Sequence, residues 1–341
     1  MYKQWRTIVG ISTAAILLLS VVVAGCAPTA GPSETFQLKA SQAMMPATSI
    51  THQDIVEMCD AVTERTDGKI TWEVFGPEIG DWTELQRMTT AGTIDLQFNS
   101  VDTALDERWN ITALPFLAPE FEKAKKLWSA GGAIDEICSQ WAADLNWKYL
   151  GPWLNNVGSI GFNRDPVTSV EEAQGVKLRV YPIAIAQCYV SKMGFTPVTI
   201  PWAEAPTAVA TGVVDGWIGS GAVYWWDLFR DVARSATLTY ELNEGWHVLF
   251  NLDKWNSLPA EYQTIIQEEA TKIIDKHLDQ VEEEEFYYQQ ELLDYGWEFA
   301  DMAKDYPEEL AEWTALAREC WAEYDEIIGK EWMDQLRTAL K

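Results

Sequence analysis

Histidine and basic side chains are scarce in this chain. Only three His (His52, His247, His277) occur among 341 residues, too few to suggest a histidine-based metal centre. Lys and Arg number 25 against 52 Asp and Glu, for a formal net charge of -27. A phosphate-binding surface needs clustered bases, which argues against nucleic acid as a partner, and an anionic lipid surface repels such a chain. The five cysteines follow no CxxC or zinc spacing. The motifs G-x-x-x-x-G-K-[ST], G-x-S-x-G and H-E-x-x-H are absent, and Gly219-Ser220-Gly221 is too short for a phosphate loop. Among 52 acids no carboxylate pair stands out for glycoside chemistry. After residue 26 no apolar run approaches the roughly 20 residues that a membrane span needs.

What is present is a chain long enough for about two domains, with 48% hydrophobic residues and an unusual 18 Trp. Most Trp in a chain of this size pack helices and interfaces; sugar-stacking platforms are the other reading. At the N-terminus, Lys3 and Arg6 precede an apolar run from Ile8 to Val23, followed by Ala24-Gly25-Cys26. A basic region, a short apolar region and small residues before a cut describe a secretory signal. Cys26 directly after Ala-Gly resembles a bacterial lipobox. Residues 1–25 therefore read as a signal peptide, Cys26 as a lipidation site and 26–35 as a flexible tether. The protein is expected to sit on a membrane by its lipid without entering it. In an exported protein Cys59, Cys138, Cys188 and Cys320 could pair as disulfides; isolated on helices, they read first as buried small apolar residues.

The rest of the chain repeats one unit. Phe36 to Ala40 reads as a strand, Thr51 to Thr66 as a helix and Ile70 to Val74 as a strand. An Asp81-capped helix then runs to Ala91, and Gly92-Thr93-Ile94-Asp95 leads into a strand ending at Phe98. Downstream, Lys177 to Val180, Ile183 to Met193, Phe195 to Ile200 and Ala203 to Thr211 give the same order, and Gly212-Val213-Val214-Asp215 returns the chain to a strand. In each unit a Gly ends a helix and an Asp follows a β-branched pair. Two α/β lobes of related design, facing each other across a cleft, follow from this repeat. Ligands of such sheets bind outside the carboxyl ends of the strands. From Ser257 onward the chain reads as largely helical, with Glu282 to Glu285 as a solvated face.

The stretch Gly175 to Ser220, GVKLRVYPIAIAQCYVSKMGFTPVTIPWAEAPTAVATGVVDGWIGS, resembles the DctP-type solute-binding proteins of tripartite ATP-independent periplasmic (TRAP) transporters. Glu64-Arg65-Thr66-Asp67-Gly68-Lys69, Gly92-Thr93-Ile94-Asp95 and Leu114-Pro115-Phe116-Leu117 match the same family in the first lobe. The resemblance covers nearly all of the chain after the tether. It implies an α/β, bilobal periplasmic-binding-protein-like fold with a long connecting helix and a helical C-terminal tail. Lobe I is then 36–156 plus 245–285, and lobe II is 157–244 plus 286–341.

The family's ligand-binding Arg falls on Arg179. Its planar fork matches a carboxylate and keeps its charge when desolvated. Trp202 matches an aromatic that lines the family's pocket, and Tyr181 stands two residues past Arg179. Three departures matter. A second Arg seen in some relatives is Ser159 here. Their Gln-Glu-Asn-Pro segment is Trp217-Ile218-Gly219-Ser220. A Glu that accompanies a metal in another branch is missing, so neither metal nor other cofactor is expected. Trp217 with Tyr224, Trp225 and Trp226 suggests flat walls for a monocarboxylate with an apolar or aromatic body. Gln42, Asn99, Ser100, Asn155 and Asn156 are candidate polar contacts, and Gly219 lies beside them. The expected function is capture of a small organic acid outside the membrane and its delivery to a TRAP permease, without catalysis. A binding protein of another transporter or sensor class, or a Trp-rich carbohydrate-active protein, is the alternative.

Overall fold

The structure is a computed structural model. It describes residues 34–341 apart from 43, 44, 46 and 48. The signal peptide, Cys26 and most of the tether lie outside the described residues. Among the described residues no helix is long and apolar enough to cross a membrane.

The described strands are β1 (Phe36–Ser41), β2 (Ile70–Phe75), β3 (Leu96–Asn99), β4 (Trp147–Phe162), β5 (Lys177–Val180), β6 (Thr196–Thr199), β7 (Gly216–Ser220), β8 (Ser235–Asn251) and β9 (Glu298–Asp301). They form one sheet in the order β2-β1-β3-β8-β4-β7-β5-β6, with β9 added beside β8. The expected repeat occupies its two ends: β1 pairs in parallel with β2 and β3, as β5 does with β6 and β7. The two matching Asp do the same work. The Asp95 carboxylate accepts from the Lys39 amide at 2.8 Å, and that of Asp215 from the Lys177 amide at 2.8 Å. Gly92 and Gly212, with φ of +74° and +70°, release each helix toward its strand.

Between these ends run β4 and β8, an antiparallel ribbon paired along most of its length. One end of β8 joins β3, and the far end of β4 joins β7. Both strands are buried almost throughout, so apolar residues fall on either face and no alternation marks them.

The helix Ala260–Tyr295 spans about 54 Å at 1.5 Å per residue. Ile265, Ile266, Ile273 and Ile274 pack in the core under β1 and β3, whereas Leu292 packs in the core under β7. This changes the reading of the acidic run. Glu285 is buried, and its carboxylate accepts from the Ala222 amide at 2.7 Å. The helix crosses from one end of the sheet to the other there, so this carboxylate meets a free backbone N–H instead of water.

The tail is helical except for β9. Cys59 and Cys138 are buried and free, as first read, whereas Cys188 and Cys320 form a disulfide, the other reading for an exported chain. The bond ties the helix Ala184–Lys192 to the end of the helix Pro307–Arg318. Close by, Arg318 and Trp321 donate to the carbonyls of Phe116 and Pro115. Nine of the Trp are among the largest fully buried side chains, so much of the Trp content is core.

Candidate functional site

A cavity of about 810 Å³ opens where the two ends of the sheet face each other. It is lined by the segments after β2 and β3, by those after β5 and β6, and by Leu242–Gly245 of β8. These are strand-end positions of the kind expected for ligands of parallel sheets.

Arg179 enters from β5 and is only 2% exposed. Its Nε donates to the Ile200 carbonyl at 2.8 Å and its Nη1 to the Ile218 carbonyl at 3.2 Å. Two backbone acceptors, one just past β6 and one within β7, thus fix the fork. Its Cζ lies 5.2 Å from the ring centroid of Trp202, a favourable placement for a cation over an aromatic face. Among the described residues no carboxylate forms an ion pair with it. Burial pulls its pKa down to about 10, which still leaves it charged at neutral pH. A desolvated cation without a counter-ion is costly unless a ligand supplies one.

Tyr181, Trp202, Ser100 and Gly219 also line the cavity. At Gly219, φ is +102°, and a Cβ would lie 3.1 Å from Tyr181 Cδ1 and 3.4 Å from Arg179 Nη1. Glycine here leaves room for both side chains. The loop at Ser100 is held by Gln86, which donates to the Ser100 carbonyl and accepts from the Asp102 amide.

Six other expected contacts do not line the cavity, among them Asn155, which is engaged by Thr51, Tyr224 and Glu244. Gln42 spends its amide on both backbone groups of Met45. Asn99 is buried and donates to the Trp82 carbonyl at 3.1 Å. Ser159 accepts from the amides of Thr239 and Tyr240, where the β4–β8 register shifts. Asn156 lies behind the wall and donates to the Glu244 carboxylate. Trp217 is fully buried and stacks on Phe229 at 3.9 Å. Phe229 in turn lies 5.6 Å from Trp202, so Trp217 stands two rings behind the cavity. Tyr224, Trp225 and Trp226 are not among the lining residues either. The aromatic walls are Trp82, Trp109, Tyr181 and Trp202 instead.

Sequence reasoning missed Trp82, Trp109, Thr112, Asn243 and Glu244. Trp82 had a signal, because it follows β2 just as Trp202 follows β6. Glu244 had none, being one acid among 52. Its Oε2 accepts from Asn155 Nδ2 at 3.0 Å and from Asn156 Nδ2, and burial pushes its pKa up to about 7. Among the described residues no group of three or more His, Cys, Asp or Glu is arranged to hold a metal ion.

The family model described as bacterial extracellular solute-binding protein, family 7 (DctP) matches residues 41–327. The chain belongs to this family. A sialic acid-binding periplasmic protein of Vibrio cholerae is 23% identical over 84% of this chain and 88% of its own. The C4-dicarboxylate-binding periplasmic protein DctP of Rhodobacter capsulatus is 25% identical over 66% of each chain. Among solved structures, a Desulfovibrio salexigens TRAP solute-binding protein with bound orotic acid has a TM-score of 0.80 at 20% identity, covering 89% of this chain and 97% of that one. The Bordetella pertussis receptor DctP7, which binds pyroglutamic acid, has a TM-score of 0.79 at 20% identity, covering 90% and 99%. The two-lobed fold is therefore that of the TRAP solute-binding proteins. DctP-family proteins serve solute transport outside the cytoplasm, which is not an enzyme class.

Proposed function

We propose that this DctP-family chain captures a small organic acid, a monocarboxylate with an apolar or aromatic body, and hands it to a TRAP-type membrane permease. Arg179 carries this reading: a buried, fixed guanidinium, in no ion pair among the described residues, faces an aromatic-walled cavity. The ligand carboxylate supplies the missing counter-ion in a two-point contact. Tyr181 and Ser100 offer hydroxyls to the same ligand, and Trp202 covers its body. Relatives named for binding sialic acid and C4-dicarboxylates support the organic-acid class, while the apolar body rests on the cavity walls. A lipid on Cys26 holds the receptor at the membrane. The lobes, 36–156 with 245–285 and 157–244 with 286–341, close on the ligand by a hinge in the β4–β8 ribbon. No bond of the ligand is made or broken.

The test is a titration of intrinsic Trp fluorescence against aromatic and aliphatic monocarboxylates, oxo acids, dicarboxylates and sugars. A saturable response to a monocarboxylate is expected. Arg179→Ala should weaken it by roughly 30-fold or more, as for loss of one partner of a desolvated charge pair. Arg179→Lys should recover little, because an ammonium cannot reproduce the fork. The ligand-free thermal midpoint of Arg179→Ala should change little, because the lost carbonyl hydrogen bonds are offset by relief of a desolvated cation. Sugar binding that ignores Arg179→Ala would overturn the assignment.

A further inference from the structure

The cavity holds a second charged group at the centre of the sheet. Three carboxylates line it: Asp81, Asp102 and Glu244. Asp81 caps the helix Trp82–Thr90 by accepting from the Glu84 amide, and Asp102 accepts from the Ala104 amide and the Thr83 hydroxyl. Both are occupied by their own loops. Glu244 differs. Among the described residues no Lys, Arg or His forms an ion pair with it, although it shares the cavity with Arg179.

Its position is built. The Asn155 Oδ1 accepts from the Thr51 hydroxyl and the Tyr224 hydroxyl, each at 3.0 Å. That orients the Asn155 Nδ2 onto Glu244 Oε2, where the Asn156 amide also donates. Neutral amides thus fix a carboxylate without cancelling its charge, in the crossing strand between the lobes. A site with one fixed cation and one fixed anion, not in contact with each other, matches a ligand carrying both charges.

We propose that the ligand is a zwitterion, with its carboxylate on Arg179 and a protonated amine on Glu244. This deepens the organic-acid reading and rests on it. Burial pushes the Glu244 pKa up to about 7; an ammonium in the cavity holds the carboxylate in its charged form, whereas a plain acid meets it partly protonated.

The experiment compares matched pairs by calorimetry on the mature chain: phenylalanine against 3-phenylpropionate, and leucine against 4-methylpentanoate. The amino acid of at least one pair should bind roughly 10- to 100-fold more tightly, as for a hydrogen bond to a charged group. Glu244→Gln keeps an acceptor for the two Asn amides. It should weaken the amino acid by that factor and leave the deaminated acid within about threefold. The comparison on the unmodified protein needs no variant, so misfolding of Glu244→Gln would not shield the proposal. Equal binding within each pair, unchanged in Glu244→Gln, would overturn the zwitterion and leave the organic-acid reading standing. Binding of 3-phenylpropionate that requires added Ca²⁺ would also overturn it, giving Glu244 to a metal. Failure of every acid, with sugars binding, would remove both readings.

Discussion

Arg179 keeps a cation where burial works against one, and its surroundings are arranged around that cost. Two backbone carbonyls accept from it, Trp202 lies over it, and Gly219 leaves space beside it. Gly219→Ala tests the arrangement. An L-residue at φ of +102° is strained, at about 1–2 kcal/mol, and its methyl would press on Tyr181 and Arg179. Denaturant unfolding should show that loss, and titration should show affinity for the ligand falling about tenfold, because a small displacement of the fork spoils a two-point contact. Unchanged affinity at reduced stability would show that the glycine serves the backbone of β7 alone. At this scale the sequence was legible only where a motif isolated the residue. Arg179 and Trp202 stand at marked positions in a strand and after it. Trp217 shares the register of Arg179 across β5 and β7, yet Phe229 and Trp202 stand between it and the cavity, a layering no spacing reveals.

The elements legible in the sequence carried either a period of their own or a place in the repeat. Alternation marked β1 and β2, and helical spacing their helices; β5, buried at three successive residues, and β6, with none fully buried, were legible from their place in the repeat. The β4–β8 ribbon, buried on both faces, left no such period; the resemblance implied only that the chain changes lobe near residues 157 and 245, which lie within these strands. Glu285 was misread for a related reason: a run of four acids looks solvated until another helix end is packed against it. The repeated Gly-x-[Ile/Val]-Asp segment has a mechanical meaning that can be measured. Asp215 closes a loop on β5 by accepting from the Lys177 amide while its own amide donates to the Lys177 carbonyl. Asp215→Ala should cost about 1–2 kcal/mol in urea unfolding. Asp215→Asn, which keeps an acceptor oxygen, should cost less than half of that. Equal losses in both variants would show that the charge matters and the hydrogen bond does not.

Across the whole molecule, buried titratable groups set how stability should respond to pH. Burial raises Glu241, Glu244 and Glu285 from 4.5 to about 7. In the unfolded chain they ionise near the lower value, so between the two the folded state holds extra protons. Their penalty is present in full above about pH 7 and is relieved as the pH falls toward 4.5. Glu241 shows why: its Oε1 is buried without a partner among the described residues, a poor place for a full negative charge. His247 works in the opposite sense. Burial lowers its pKa from 6.5 to about 3, so it costs stability as the pH drops through that interval. Three carboxylates outweigh one imidazole between pH 7 and 5, and protonation also relieves self-repulsion in a chain of formal charge -27. Below about pH 4.5 the carboxylates have nothing further to give, while His247 continues to lose. Glu78, whose carboxylate is held low by the Gly76 amide, adds to that loss. Calorimetry of the ligand-free protein should therefore find the highest thermal midpoint near pH 5, with lower values at pH 8 and at pH 3.5. Glu241→Gln removes one ionisation and should raise the midpoint more at pH 8 than at pH 5. A midpoint that falls steadily from pH 8 to 5, in the parent and the variant alike, would mean that these carboxylates are solvated in the folded state.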